Sequence, residues 1–464
     1  MADYDLIVIG GGPAGYVAAI RGAQHGKKVA CVEADRAGGT CLNWGCIPTK
    51  SLLRNAELYH LMAHRAAEFG MSVEGLSFDW SKVIGRSRRV SNRLAGGIEY
   101  LFKKNKVDYL RGHGSVVEKG KVEVTDSDGG KETHGATQVI LATGCVSRPL
   151  PGLDFDGEKV IGSKEAMVIE KQPESIVIIG AGAIGVEFAY FFNAFGTKVT
   201  LVEMMDRLLP VEDDDVSAAL EKSFKKQGIE VLAGHKTTSA TTTDGGVELM
   251  VEPAGGGESR KIEADVCLVA IGVQPVLPKD GQTPDLDDRG YIKTGDRYET
   301  SLPGVYAVGD IIGPPWLAHV ASFEAIQCVD GLYKDGYKPR KVDVFPGCTY
   351  CHPQVASVGL TERAAKEKGV AYKVGQFPFQ ALGKALAVGE TDGFVKILYG
   401  EKHGEVLGAH IIGDNATELI GEMGLAIANE MTWDEIENTI HAHPTLTEAI
   451  HEATGVAQGH AIHI

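Results

Sequence analysis

Two stretches of this chain obey one grammar. DYDLIVIGGGPAGYVAAIRGAQHGKKVACVE lies at its start, and ESIVIIGAGAIGVEFAYFFNAFGTKVTLVE begins at Glu174. Each runs from an apolar β segment through G-x-G-x-x-G into a helix-period stretch, then into a second β segment that ends in Glu. The glycines are Gly10, Gly12 and Gly15 with Glu33 in the first copy, and Gly180, Gly182 and Gly185 with Glu203 in the second. The spacing from last glycine to acid is the same in both. A single G-x-G-x-x-G is weak evidence, but strand, helix and acid in their expected places twice over predict two dinucleotide-binding βαβ units. The glycines permit a tight turn and close approach of backbone to a pyrophosphate, whose charge sits at a helix N-terminus. The closing Glu is placed to accept hydrogen bonds from ribose hydroxyls. Generic βαβ units with glycines chosen for packing would not require this matched spacing.

The two sites are predicted to differ. A carboxylate at Glu203 repels a ribose 2′-phosphate, and Met204 and Met205 supply no arginine for one, so the second unit should take NAD rather than NADP. The first unit, with a cysteine loop just after it, suits FAD. ILATG (Ile140 to Gly144, with Thr143) and LVAIG (ending at Gly272) each read as a strand closing one unit, and TSLPGVYAVGD delivers Asp310 toward a hydroxyl-bearing ligand. The expected fold class is α/β, with an NAD unit inserted into a FAD unit. The expected boundaries are 1–148 for the FAD domain, 149–274 for the NAD domain and 275–343 for the return to the FAD domain. From about Phe345 shorter strands and two helical stretches predict a third, α+β domain over 344–464.

Several classes are disfavoured. The formal charge is −16, which argues against nucleic acid, since phosphate binding needs a basic surface. The longest apolar run, Ile176 to Val186, falls well short of the ~20 residues of a membrane span. MADYDLIVIGGG enters a strand with no targeting pattern before it, so a bacterial cytoplasmic location is expected. In that compartment a disulfide is more often catalytic than structural.

The cysteines of GGTCLNWGCIPTK matter for that reason. Cys41 and Cys46 are five apart, about 140° around a regular helix, so a bond between them needs local distortion, for which Gly45 supplies freedom. A strained disulfide at a helix N-terminus is easily reduced, and thiolates there are expected to have lowered pKa values. Zinc would want two further ligands at short spacing, and none follow; no metal site is expected. In HAHPTLTEAIHEATG, Pro444 predicts a helix start, with His443 at the N-cap and Glu448 able to lean back toward the imidazole. The sequence alone does not separate His441 from His443.

GGTCLNWGCIPTK, the doubled glycine motif, YAVGD and HAHPTLTEA together resemble the class I pyridine nucleotide-disulfide oxidoreductases, in family order along essentially the whole chain. Within that family the match is closest to members that oxidise dihydrolipoamide. The resemblance implies a redox-active Cys41–Cys46 disulfide, with Cys46 next to a tightly but non-covalently held FAD and Cys41 exchanging with substrate. Lys50 would lie near the flavin and pair with Glu187, an acid otherwise stranded in an apolar run. Gly39, Thr40, Thr143, Gly144, Ala318 and His319 would join the FAD contacts. His443 and Glu448 would form a base pair reaching the disulfide of the other subunit, hence a homodimer. The implied reaction is oxidation of protein-bound dihydrolipoamide to lipoamide with reduction of NAD+. The implied partners are the lipoyl domain and acyltransferase core of a 2-oxoacid dehydrogenase complex, or a glycine cleavage carrier protein. A glutathione-type reductase using NADPH is the alternative, disfavoured by Glu203 and by the form CLNWGCIPTK. A purely structural flavoprotein is disfavoured by the presence of Cys41, Cys46, Lys50, His443 and Glu448 together.

Cys348-x-x-Cys351-His352 matches a haem-attachment pattern, but the run continues as a strand of the third domain, and both cysteines are expected to be incidental thiols. AIGVQPVLPKDG departs from the family's usual basic residue and Pro-Asn after AIG.

Overall fold

The computed structural model describes residues 2–464. The chain forms two compact units. One holds the residues up to Leu52 with Asp79–Arg148 and Gly272–Asp343; the other holds Leu53–Phe78, Pro149–Ile271 and Val344–Ile464.

In the first unit, β1 (Tyr4–Ile9) leads through the glycine turn into α1 (Pro13–Gln24) and β2 (Val29–Glu33). The apolar run of β1 is buried at Leu6, Ile7, Val8 and Ile9, as a strand covered on both faces requires. It pairs in parallel with β2 on one side and with Lys131–Leu141 on the other. Asp108–Arg111 extends the sheet beyond β2, and Val305–Ala307 pairs in parallel beyond Lys131–Leu141. Gly10, Glu33, Thr143 and Asp310 therefore all sit at the carboxyl ends of parallel strands, where open α/β sheets bind ligands. The longer strand Lys131–Leu141 also closes an antiparallel meander with Lys121–Thr125 and His113–Glu118.

The second unit repeats the plan. Ser175–Ile179 is flanked by Lys198–Val202 and Val266–Val269, with Glu230–Leu232 and Val160–Ile161 outside them, all in parallel. A three-stranded meander, His235–Thr243, Gly246–Pro253 and Arg260–Ala264, again accompanies the sheet. The same unit contains a five-stranded antiparallel sheet in the order Pro346–Thr349, Gln354–Gly359, Val406–Gly413, Phe394–Gly400, Tyr372–Pro378. Helices Ala416–Ala428 and Glu448–Gln458 pack their apolar faces into its core. The fold class is thus α/β with two Rossmann-like sheets and a C-terminal α+β part.

Every residue of Phe394–Gly400 is buried, Lys396 included. Its ammonium donates to Asp213 at 2.7 Å and to Asp215 and Glu362 at 2.6 Å each. A buried charge persists only when paired this fully.

The segment after the cysteines crosses between units. Helix α3 (Cys46–His60) begins in the first, and from Leu53 the chain belongs to the second. There Tyr59 stacks on Phe195 at 5.2 Å and Phe78 meets the same ring edge-on at 4.9 Å. The sequence reading drew no boundary at Leu53 or at Phe78.

Candidate active site

The first glycine turn and the cysteine loop are built against each other. Gly10 has φ +105°, and a Cβ there would lie 2.2 Å from the Ala142 carbonyl oxygen; at Gly15 it would lie 1.7 Å from the Gly10 carbonyl oxygen. Only glycine fits either position. At Gly39, φ +55°, a Cβ would stand 2.5 Å from the Gly12 Cα. The cysteine helix therefore starts in backbone contact with the nucleotide turn. Asn43, buried behind it, donates to the carbonyls of Ala37 and Gly39 at 3.1 and 3.0 Å and holds the loop closed. Arg88 donates to the Asn43 carbonyl at 2.8 Å and covers the Trp44 ring at 5.0 Å.

Helix α2 (Gly39–Trp44) stops at Gly45, whose backbone (φ −150°, ψ −113°) is not helical, and α3 starts at Cys46. That break brings Cys41 and Cys46 together, and their sulfurs share a hydrogen bond. Sharing the proton with Cys46, and then burial, push the Cys41 thiol far up, against a smaller downward pull from Lys50. The expectation of lowered thiolate pKa values is corrected at Cys41. Two close sulfurs sharing one proton do not ionise together, so a thiolate here belongs to the pair rather than to Cys41 alone. Tyr16, on α1, faces both sulfurs, and its hydroxyl is pushed up by burial and by them; nothing in the sequence marked it.

Other first-unit groups suit a dinucleotide. The N-terminus of α1, capped by Gly12, has no side-chain cap, so its amides are left for an anion. Glu33 accepts from the Gly11 amide at 2.6 Å and the Asp35 amide at 2.8 Å, leaving lone pairs for hydroxyls. Asp310, in the short turn after Val305–Ala307, is pushed up to about 6 by burial, with only a local backbone hydrogen bond in opposition. A half-buried acid with no side-chain donor fits a hydroxyl-bearing chain. Thr143 donates to the Val276 carbonyl at 2.6 Å, Gly144 holds φ +72°, and Ala318 and His319 open the helix Ala318–Tyr333. Thr40 is exposed on α2 and Lys50 lies in the second turn of α3.

In the second unit the same construction recurs. Gly180 has φ +101°, and a Cβ there would lie 2.5 Å from the Ala270 carbonyl oxygen; at Gly185 it would lie 1.9 Å from the Gly180 carbonyl oxygen. Gly182 caps the helix Ala183–Ala194 without a side-chain bond, and Gly272, in the first unit by chain partition, has φ +115°. Glu203 accepts from the Ala181 amide at 2.6 Å and the Met205 amide at 2.8 Å. Met204 and Met205 are exposed beside it, while Arg207 is taken by Asp206 and Asp214. Glu187 is buried on the glycine-capped helix and accepts from the Tyr350 amide at 2.9 Å.

At the chain end, the helix begins at Glu448 rather than at Pro444. Residues 445–447 are held instead in a turn, with Thr445 donating to the Ala442 carbonyl at 2.7 Å and its amide to Glu448 at 2.9 Å. The other Glu448 oxygen lies 2.9 Å from Nδ1 of exposed His443. Burial opposes ionisation of Glu448, but the Thr445 amide and His443 outweigh it and hold the carboxyl below its usual range. His441 is different: its Nε2 meets Glu422 at 2.8 Å and its Nδ1 meets the Thr439 carbonyl at 3.1 Å. With both nitrogens occupied, it offers no base; His443 keeps Nε2 outward. Cys351 is buried and donates to the Pro353 carbonyl at 3.0 Å, and Cys348 packs against the sheet core.

Residues 4–325 match the model of the pyridine nucleotide-disulphide oxidoreductases, and residues 345–454 match that family's dimerisation domain. The chain belongs to this family. Within it, the chain is 45% identical to the dihydrolipoyl dehydrogenase of Chlorobaculum parvum over 98% of its own length and 97% of that protein. It is 43% identical to the dihydrolipoyl dehydrogenase of Bacillus subtilis over 99% of each. Among solved structures of disulphide oxidoreductase fold, LpdA of Mycobacterium tuberculosis superposes with a TM-score of 0.89 at 27% identity, over 97% of this chain and 98% of that one. The dimerisation domain makes the family member a homodimer; Leu425, Ile440 and Ile462 are exposed apolar residues within and just beyond it. Among the described residues no helix is long and apolar enough to cross a membrane.

Proposed function

We propose that the chain is an NAD-dependent dihydrolipoyl dehydrogenase, oxidising dihydrolipoamide carried on a lipoyl domain of a 2-oxoacid dehydrogenase complex or a glycine cleavage carrier protein. The observation that carries the reading is the hydrogen-bonded Cys41–Cys46 pair on a loop in backbone contact with a dinucleotide turn. The full-length likeness to dihydrolipoyl dehydrogenases supports the substrate.

In this scheme His443, oriented by Glu448, takes the proton of one substrate thiol. The thiolate attacks Cys41 Sγ, the Cys41–Cys46 bond breaks, and Cys46 leaves as thiolate. The second substrate thiol, losing its proton, attacks the mixed disulfide. Cys41 is released and takes up a proton, consistent with the raised pKa of its thiol, and the cyclic disulfide departs. FAD, when bound, would supply the two-electron relay between the reduced Cys41–Cys46 pair and NAD+. Lys50 and Glu187 are assigned to the flavin surroundings, Gly12, Glu33 and Asp310 to holding FAD, and Gly182 and Glu203 to holding NAD+. The domain assignments 1–148, 149–274, 275–343 and 344–464 belong to the same proposal, as does a bacterial cytoplasmic location.

The test is anaerobic. Reduced lipoamide is added to the purified protein with NAD+ or NADP+, and nicotinamide reduction is followed. Rapid reduction of NAD+ alone is expected. No turnover with either, together with NADPH-driven reduction of another disulfide, would leave the fold intact and overturn the substrate.

A further inference from the structure

A second cluster of metal-ligating side chains lies in the second unit, apart from every residue assigned above. Helix α3 ends at His60 and the chain continues through a single wide turn, Leu61–Arg65, with π-type hydrogen bonding. Such turns recur where a helix presents functional side chains. His60 and His64 project from it with ring centroids 4.8 Å apart and planes tilted by 48°. Two imidazoles on one tetrahedral ion at ~2.1 Å place their centroids about 5 Å apart. Neither ring makes a hydrogen bond to another described residue, so their nitrogens are not committed elsewhere.

A third imidazole, with carboxylates around it, lies in their neighbourhood on other elements. His352, in the loop after Pro346–Thr349, is an electrostatic neighbour of His60. Its Nε2 lies 3.5 Å from Glu390, and Glu390 in turn accepts from Arg65 at 2.5 Å, the residue next to His64. Asp414 faces both His352 and Glu57. Tyr190 lies alongside, 6.0 Å from the His352 ring; it is buried to 2% exposure, and its hydroxyl has no hydrogen-bond partner. An orphaned buried hydroxyl is destabilising unless something fills the space before it. Imidazoles gathered with carboxylates, where mutual repulsion would be expected of protonated rings, are the donor set of a borderline divalent cation.

We propose that His60, His64 and His352 bind a zinc-class divalent metal ion, with Glu390 or Asp414 completing the shell. Turning the exposed His64 and half-buried His352 side chains closes it around the ion. The ion ties the Leu53–Phe78 segment to the C-terminal sheet of the same unit. The other donor group, Asp213, Asp215 and Glu362, is already within ligating distance but is filled by the Lys396 ammonium, so it does not compete.

Equilibrium dialysis of the FAD-loaded, fully oxidised dimer against zinc, followed by metal analysis, tests this. Oxidation removes Cys41 and Cys46 as ligands. One ion per chain is expected, lost in His60→Gln/His64→Gln and in His352→Gln, retained in a Cys41→Ser/Cys46→Ser variant, and accompanied by a zinc-dependent rise in Tm that the histidine variants lack. Retained FAD in each variant confirms that it folds. Zinc binding that survives the histidine substitutions, as chelation by the histidine-rich chain end would, overturns the proposal, and so does the absence of bound zinc in the native dimer.

Discussion

Glu448 Oε1 stands 2.9 Å from Nδ1 of His443, while its Oε2 is anchored by the Thr445 amide. The carboxylate is thereby fixed before it fixes the imidazole, leaving Nε2 as the free basic nitrogen. Glu448→Gln is expected to lower kcat for dihydrolipoamide by about 10²-fold or more, the scale of a positioned general base. NADH-driven reduction of the flavin needs no thiol proton transfer and should be unchanged. Stopped-flow measurement of both separates the two; an equal loss in each would dismiss the role.

The contact between Gly12 and Gly39 predicts a cofactor defect. Gly39→Ala puts a methyl 2.5 Å from the Gly12 Cα at a positive φ, and neither backbone can yield without moving the turn or the cysteines. The cost is on the order of 1–3 kcal/mol of strain. The variant should purify with substoichiometric FAD, read from the ratio of visible to ultraviolet absorbance.

Glu203 bears on nicotinamide choice. With Met204 and Met205 exposed beside it and Arg207 held by two aspartates, no cation faces a 2′-phosphate. Glu203→Ser/Met204→Arg should move the NAD+ to NADP+ ratio of kcat/KM toward NADP+ by at least about 10-fold. An unchanged ratio would remove Glu203 as selector.

Glu212 gives a pH dependence. It is buried, one oxygen has no partner, and burial, opposed by a bond from Ser357, pushes its carboxyl up to about 7. The folded chain therefore holds this proton after the unfolded chain, near an ordinary Glu value, has released it. The linkage sign follows: this group lowers stability as pH rises from about 4.5 to about 7 and adds no further slope above that. Relative to native protein, Glu212→Gln should gain stability across that window, measured by urea unfolding at pH 5 and pH 8. A difference independent of pH would rule out the raised pKa.

The sequence carried the parts of this molecule that rest on local rules. Gly10, Gly15, Gly180 and Gly185 must be glycine for reasons of backbone clearance alone, and each closing Glu sits at the end of its second strand, so both nucleotide turns were legible as spacing. Gly45 between Cys41 and Cys46 announced a break. What depends on distant chain was hidden. His441 and His443 are alike in sequence and separate only because Glu422, on the helix Ala416–Ala428, takes one of them. The approach of Gly39 to Gly12, Asn43 bracing the loop, and Tyr16 over the sulfurs are likewise tertiary. The helix expected at Pro444 starts at Glu448 because Thr445 turns its hydroxyl back to Ala442.

Helix α3 has a practical consequence for anyone dissecting the protein. Its first turns carry Cys46 and Lys50, and its last turn carries Tyr59, which stacks on Phe195 far along the chain. An expression fragment ending at Arg148 would keep the redox loop but strip Tyr59 of Phe195 and Arg65 of Glu390. Such a fragment would display an aromatic, half-supported rod to solvent, an invitation to aggregate. Modular swaps between relatives should therefore exchange Leu53–Phe78 together with the C-terminal part, not with the cysteines it follows.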